Sequence, residues 1–163
     1  MGRVVSHDEL LDAIAADRDA GRRIALANGC FDLLHVGHVR YLSGAAEQAD
    51  RLVVAINSDD VVTTLKGPGQ PILPSDERAE LVAALGMVDY VVVFSTPTVA
   101  VLLDELRPDV HCKGTDYTVD SVPEREVVRR YGGRTVIVGD PKNHSTQGLL
   151  ARIAKRLRNP APS

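Results

Sequence analysis

Asn28-Gly29-Cys30-Phe31-Asp32-Leu33-Leu34-His35-Val36-Gly37-His38 is the stretch on which the reading of this chain turns. Ahead of it, Arg23-Ile24-Ala25-Leu26-Ala27 is a short apolar run that predicts a strand. Behind it, Val39-Arg40-Tyr41-Leu42 opens a helical pattern expected to run from about His38 to Gln48. Two histidines therefore sit where a strand hands over to a helix. A helix start carries unpaired N–H groups and partial positive charge, which suits an anion. Imidazoles there donate hydrogen bonds to phosphate oxygens, and Gly37 lets a ligand approach the backbone closely. The reading is a nucleoside triphosphate site, in which both rings stabilise charge as the α-phosphate is attacked. The bland alternative is an N-cap histidine with a packed neighbour. A zinc site needs a third close ligand, and none presents itself in this stretch.

Outward from that stretch, strand and helix alternate. Ser6-His7-Asp8-Glu9 has capping-box spacing ahead of Leu10, Leu11 and Ile14. Arg51 to Asn57 is nearly all apolar, as a strand covered on both faces would be. Ser58-Asp59-Asp60 caps a short helix, and Lys66 to Pro74 is a Gly/Pro-rich loop. Ser75 is the expected N-cap of the next helix, Val88 to Phe94 a strand, and Thr96-Pro97 a helix opening with Pro in its first turn. Pro108 to Cys112 reads as a fourth strand, Ser121 to Tyr131 as a charged helix, and Thr135 to Val138 as a fifth strand. Ser145-Thr146 starts a last helix with Leu149, Leu150, Ile153 and Leu157 on one face. The pattern predicts one α/β domain over 1–158, Rossmann-like and doubly wound on a five-stranded parallel sheet, with a frayed tail at 159–163.

Ligands on such sheets bind beyond the strand C-termini. Four polar segments are expected there: Asn28 to His38, Asn57 to Asp59, Lys113 to Tyr117, and Asn143 to Thr146. Lys66 in the loop is either a solvated lysine or a phosphate ligand. Arg78 lies in the first turn of its helix, where a cation opposes the dipole, so an anionic partner is expected for it, in the site or in a nearby acid. Lys113-Gly114-Thr115-Asp116-Tyr117 offers a cation, a permissive backbone and a carboxylate; Asp116 is left between a ribose hydroxyl, Mg2+ and an ordinary turn bond. Cys30 reads as a small loop residue, and His7 and His111 as surface and core-edge histidines.

Composition narrows the class. With 44% hydrophobic and 25% charged residues the chain is ordinary for a globular domain, and a net charge of −3 speaks against wholesale nucleic-acid binding. No run approaches the ~20 apolar residues of a membrane span, so no membrane partner is expected. Two cysteines without CxxC or zinc spacing fit a reducing cytoplasm.

The strand–HxGH–helix segment resembles the signature of the HxGH nucleotidyltransferases, which include the cytidylyltransferases. The likeness extends over Val4 to Leu42, Lys66 to Ile72, Asp76 to Glu80, Val88 to Phe94, Leu106 to Val110, Lys113 to Tyr117 and Tyr131-Gly132-Gly133. Over this span the chain is similar to the adenylyltransferases of ADP-heptose synthesis. The resemblance implies ATP and a heptose 1-phosphate as substrates, Mg2+ held mainly by the triphosphate, and ADP-heptose and pyrophosphate as products. It implies His35, His38 and Lys66 as catalytic residues. It further implies that Asn28, Gly29, Cys30, Phe31, Asp32, Gly37, Asn57, Asp59, Arg78, Lys113, Gly114, Asp116, Ser145 and Thr146 surround the nucleotide and its phosphates. It also implies a homodimer acting beside a separate sugar kinase. Asp140 to Gln147 departs from the family's usual Ser-Thr-Thr run, and its role is left open. The alternatives are a cytidylyltransferase using glycerol 3-phosphate or a related alcohol phosphate, a nucleotide-binding protein without turnover, and a purely structural α/β subunit.

Overall fold

The computed structural model describes residues 1–141 and 144–158. The expected tail at 159–163 and Asn143 lie outside the described residues. Seven helices and six strands alternate among them: β1 (Arg3–Val4), α1 (His7–Asp19), β2 (Ile24–Gly29), α2 (Val36–Ala46), β3 (Arg51–Asn57), α3 (Asp59–Lys66), α4 (Ser75–Ala83), β4 (Tyr90–Phe94), α5 (Ala100–Leu106), β5 (Val110–Lys113), α6 (Arg125–Arg130), β6 (Arg134–Ile137) and α7 (Thr146–Arg158).

The strands form one parallel sheet in the order β1-β4-β3-β2-β5-β6. Alternate residues feed two cores. Ala25, Ala27, Val54 and Cys112 face α2 and α4 through Leu42, Ala45, Ala79 and Val82. Ile24, Leu26, Val53 and Val92 face α1, α5 and α6 through Leu10, Ile14, Leu103 and Val128. Both faces are covered, so the central strands are apolar throughout. From β2 the chain winds outward through β3 and β4, then returns to place β5 on the other side of β2. The switch point, where such sheets bind ligands, is the β2/β5 crevice.

The doubly wound α/β class is as the sequence implies, but the sheet has six strands. The extra one is the two-residue β1, which pairs with β4 at the edge and is too short to show a period. Local boundaries differ for physical reasons. Helix α2 starts two residues early, with His35 at its N-cap. Pro74, not Ser75, occupies the N-cap of α4. Helix α5 begins at Ala100, because Thr96-Pro97-Thr98 forms its own turn: Thr96 Oγ1 donates to the Thr98 carbonyl at 2.7 Å. Helix α6 is shorter than expected. Pro123, which has no N–H to donate, separates it from a 3-10 turn at Val119–Ser121. The capping box of α1 forms as read, Ser6 N–H donating to Glu9 Oε2 at 2.7 Å.

Candidate active site

The loop between β2 and α2 carries the central geometry. His35 and His38 stack face to face, with ring centroids 3.9 Å apart and planes 18° from parallel. Phe31 closes the inner side, 5.4 Å from His38 and 6.2 Å from Tyr41. Gly37 has a use beyond the one expected. A Cβ there would meet the His35 ring at 3.0 Å and His144 Cβ at 3.3 Å, so glycine makes room for the histidines themselves. Gly29 likewise leaves space for the Phe31 ring.

Both rings are poised as neutral donors. Burial, then the His35 and Lys66 charges, push His38 down to about 4. Burial, then His144, lower His35 as well. The Nδ1 atoms of both rings are buried without a hydrogen-bond partner among the described residues. Stacked imidazoles with unmet hydrogen-bonding capacity are costly in an empty site and favourable around an anion.

The loop is held in a strained shape. Phe31 and Leu33 adopt φ of 50° and 49°, a region costly for side-chain-bearing residues. Two buried charges hold it. The Asp32 carboxylate accepts N–H groups from Ile72 and Leu73 at 2.8 and 3.0 Å, tying the Gly/Pro loop to the histidine loop. Arg78 is fully buried and donates to the carbonyls of Leu73, Cys30 and Asn57 and to Asp59 Oδ1. Of the two partners expected for Arg78, the structure shows the nearby acid, Asp59, and Asp32 orients the loop. The polar atoms of Arg78 and Asp32 face protein, and they position the residues that can face the nucleotide. Asp59, through its 2.7 Å bond to Arg78, belongs to the same clamp. Asn57 is buried too, its Oδ1 accepting from the Cys30 thiol at 3.7 Å. Burial raises the Cys30 thiol pKa, which leaves it protonated and unreactive.

Lys66 ends α3, is exposed, and acts electrostatically on both His38 and Cys30. Across the crevice, Lys113 ends β5 with its Nζ 4.7 Å from the Tyr117 ring centroid, and burial lowers its pKa against the pull of Glu124 and Asp116. Gly114 lets Asp116 fold back on the turn, since a Cβ would lie 3.0 Å from Asp116 Oδ1. Asn28 does not face outward. Its Oδ1 meets His111 Nε2 at 3.0 Å across the β2/β5 crevice. At the start of α7, Ser145 Oγ accepts the Gly148 N–H at 3.0 Å as an ordinary cap, and Thr146 Oγ1 donates to the Asp32 carbonyl at 2.8 Å.

Three participants are absent from the sequence-based site. Tyr41 walls the Phe31 side and donates to the Cys112 carbonyl at 2.7 Å. His111 is fully buried rather than at the core edge. His144 lies 6.5 Å from His35. Its signal was a histidine just ahead of a helix that follows a strand, the arrangement that marked His35. Among the described residues no three His, Cys, Asp or Glu side chains converge as a metal cage. A Mg2+ bound chiefly through phosphate oxygens needs no such cage.

A preorganised imidazole pair at a helix start, beside a switch-point crevice flanked by two lysines, defines a phosphate-handling α/β enzyme. The chain belongs to the cytidylyltransferase-like family, whose model matches residues 26–157, and is a nucleotidyltransferase of Rossmann-like fold. It is similar to the bifunctional protein HldE of Azotobacter vinelandii, 45% identical over 153 residues, covering 94% of this chain and 32% of that one. It is also similar to HldE of Geobacter sulfurreducens, 46% identical over 153 residues, 94% of this chain and 31% of the relative. The chain thus spans about a third of the length of these relatives. Among solved structures it resembles the lipopolysaccharide core biosynthesis protein of Thermoplasma volcanium, with a TM-score of 0.64 and 26% identity, covering 75% of this chain and all of that one.

Proposed function

We propose that this chain transfers AMP from ATP to a heptose 1-phosphate, giving ADP-heptose and pyrophosphate. The observation that carries the reading is the stacked His35–His38 pair, 3.9 Å apart, whose buried Nδ1 atoms lack partners among the described residues. The likeness to HldE over nearly the whole chain supports the choice of substrates.

A phosphate oxygen of the sugar 1-phosphate attacks the α-phosphorus, the α–β bridging P–O bond breaks, and its electron pair leaves with pyrophosphate. The acceptor is already a nucleophile, so no covalent enzyme intermediate is needed. Catalysis consists of aligning mutually repelling anions and neutralising them. The histidines donate to the phosphate oxygens, and Lys66 and Lys113 lower the charge from two sides of the crevice. Asp32 and Arg78 hold that arrangement in place before substrate arrives. Mg2+, when bound with the triphosphate, supplies further charge neutralisation. A sugar kinase supplies the acceptor, and the enzyme works as a cytoplasmic homodimer.

The test is pyrophosphate release measured with ATP or CTP against heptose 1-phosphate or glycerol 3-phosphate. ATP with the heptose substrate should give the highest kcat/KM. Turnover with CTP and glycerol 3-phosphate, and none with ATP, would replace this reading by the cytidylyl one.

A further inference from the structure

The run from Asp140 to Gln147 differs from the Ser-Thr-Thr run that the resemblance leads one to expect, yet it is tied to the rest of the site at both ends. Asp140 pairs with Arg40 of α2 at 2.8 Å, and its carbonyl accepts from Thr115 Oγ1 at 2.7 Å. Thr146 Oγ1 holds the Asp32 carbonyl at 2.8 Å. Between these anchors stands His144. Its ring centroid is 6.5 Å from that of His35, and its Cβ approaches the space left by Gly37.

The imidazoles therefore form a row. His38 is innermost against Phe31, His35 lies in the middle, and His144 is outermost, next to the start of α7. The ends of the row are electrostatically distinct. Lys66 acts on His38, and His144 acts on His35. A centroid spacing of 6.5 Å is too long for a direct bond between the His35 and His144 rings. It is on the order of two N–H···O contacts of ~2.8 Å to one bridging oxyanion.

We propose that His144 is a third imidazole of the triphosphate cradle and binds the β- and γ-phosphates, the pyrophosphate that leaves. The inference rests on the nucleotidyl-transfer reading above. In-line displacement puts the entering and leaving oxygens on opposite sides of the α-phosphorus. With Lys66 at the inner end of the row, the outer end is where the leaving group emerges. His144, just ahead of α7, meets it there.

The experiment uses magnesium pyrophosphate as probe. Its affinity is measured by calorimetry for the whole chain and for His144→Ala and His144→Arg, with circular dichroism to check folding. Reverse kinetics with ADP-heptose and pyrophosphate complete the set. His144→Ala should weaken pyrophosphate binding by about tenfold, the loss expected for one hydrogen bond to a charged group. The pyrophosphate KM should rise by a similar factor while the ADP-heptose KM stays within about twofold. His144→Arg, which keeps an anion donor, should recover most of the affinity. Unchanged pyrophosphate affinity, an equal loss for both reverse substrates, or no pyrophosphate binding by the unaltered chain would each overturn the proposal. If the unaltered chain binds pyrophosphate but turns over only CTP, the adenylyl reading fails and the assignment of His144 is still decided by the variants.

Discussion

Among single residues, the site separates groups that can touch substrate from groups that hold those groups still. His38 belongs to the first kind. Its buried Nδ1 has no hydrogen-bond partner among the described residues, so removing the ring breaks no bond at that atom. His38→Ala should therefore lower kcat by at least about 100-fold, as for other transition-state charge donors, and leave the thermal midpoint within a few degrees. An unchanged rate in a pyrophosphate-release assay would remove it from the mechanism. Arg78 belongs to the second kind. Arg78→Met deprives three backbone carbonyls and Asp59 of a donor. The expected cost is about 3 kcal/mol or more in urea unfolding, with activity falling alongside stability. A variant as stable as the parent would show that the clamp is dispensable. His111 sets an acid limit. Burial, then Lys113, push it down to about 3 in the folded chain, well below its value of about 6.5 when unfolded. Above pH 6.5 neither state takes up the proton. Between there and pH 3 only the unfolded state does, so the contribution of His111 to stability falls by up to roughly 1.4 kcal/mol per pH unit and is fully lost below. His111→Gln should flatten the urea-midpoint slope between pH 6 and 4 by about that one-proton contribution; an unaltered slope would place the acid sensitivity elsewhere.

Elements show what a sequence can and cannot announce. The apolar strands and the capped α1 were legible because burial on both faces and capping chemistry are local signals. The HxGH segment was legible because its residue types name a chemistry at a predictable junction. Boundaries set by competition were not. Thr96-Pro97-Thr98 satisfies its own turn and delays α5, and Pro123 cuts α6 short. Nor was the long-range use of polar residues legible. Nothing local says that Asp32 accepts from Ile72 and Leu73, some forty positions on, or that Arg78 points inward. The apolar stripe of α7 forms, but Ile153 and Leu157 remain 45% and 78% exposed, because periodicity predicts a face and not what covers it. The Asp32 anchor makes a prediction about the Gly/Pro loop as an element. Asp32→Asn keeps one acceptor oxygen where two N–H groups arrive. Amide exchange at Ile72 and Leu73 should accelerate by about tenfold, the loss of roughly 1.4 kcal/mol of local protection, and the ATP KM should rise as Lys66 loses its fixed approach. Protection equal to that of the parent would show that the loop is held by something else.

Across the whole molecule, buried polar groups are met in different ways, and Tyr131, just ahead of β6, and Thr135, within it, carry buried hydroxyls without partners among the described residues. At the N-terminal end of the strands, Asp17 is saturated: Arg22 and Arg51 reach Oδ1 at 2.6 and 3.3 Å, and the Tyr90 hydroxyl donates to Oδ2 at 2.8 Å. At the C-terminal end, His35 Nδ1, His38 Nδ1 and Ser58 Oγ are buried without partners among the described residues. The unmet polar capacity of His35, His38 and Ser58 lies beside the β2/β5 switch point. A bound triphosphate would meet that capacity and join segments from β2, α3, β5 and α7 around one ligand. Binding only the folded state raises stability by about 2.7 kcal/mol at a ligand concentration 100 times Kd. For a domain of this size that corresponds to about 5–10 °C in thermal midpoint. Mg-ATP should produce that shift in the unaltered chain, and His35→Ala/His38→Ala should abolish most of it while keeping its own unliganded midpoint close to the parent's. If Mg-ATP at millimolar concentration leaves the midpoint where it was, or if the double variant shifts as far as the parent, the His35–His38 pair is not where the triphosphate binds.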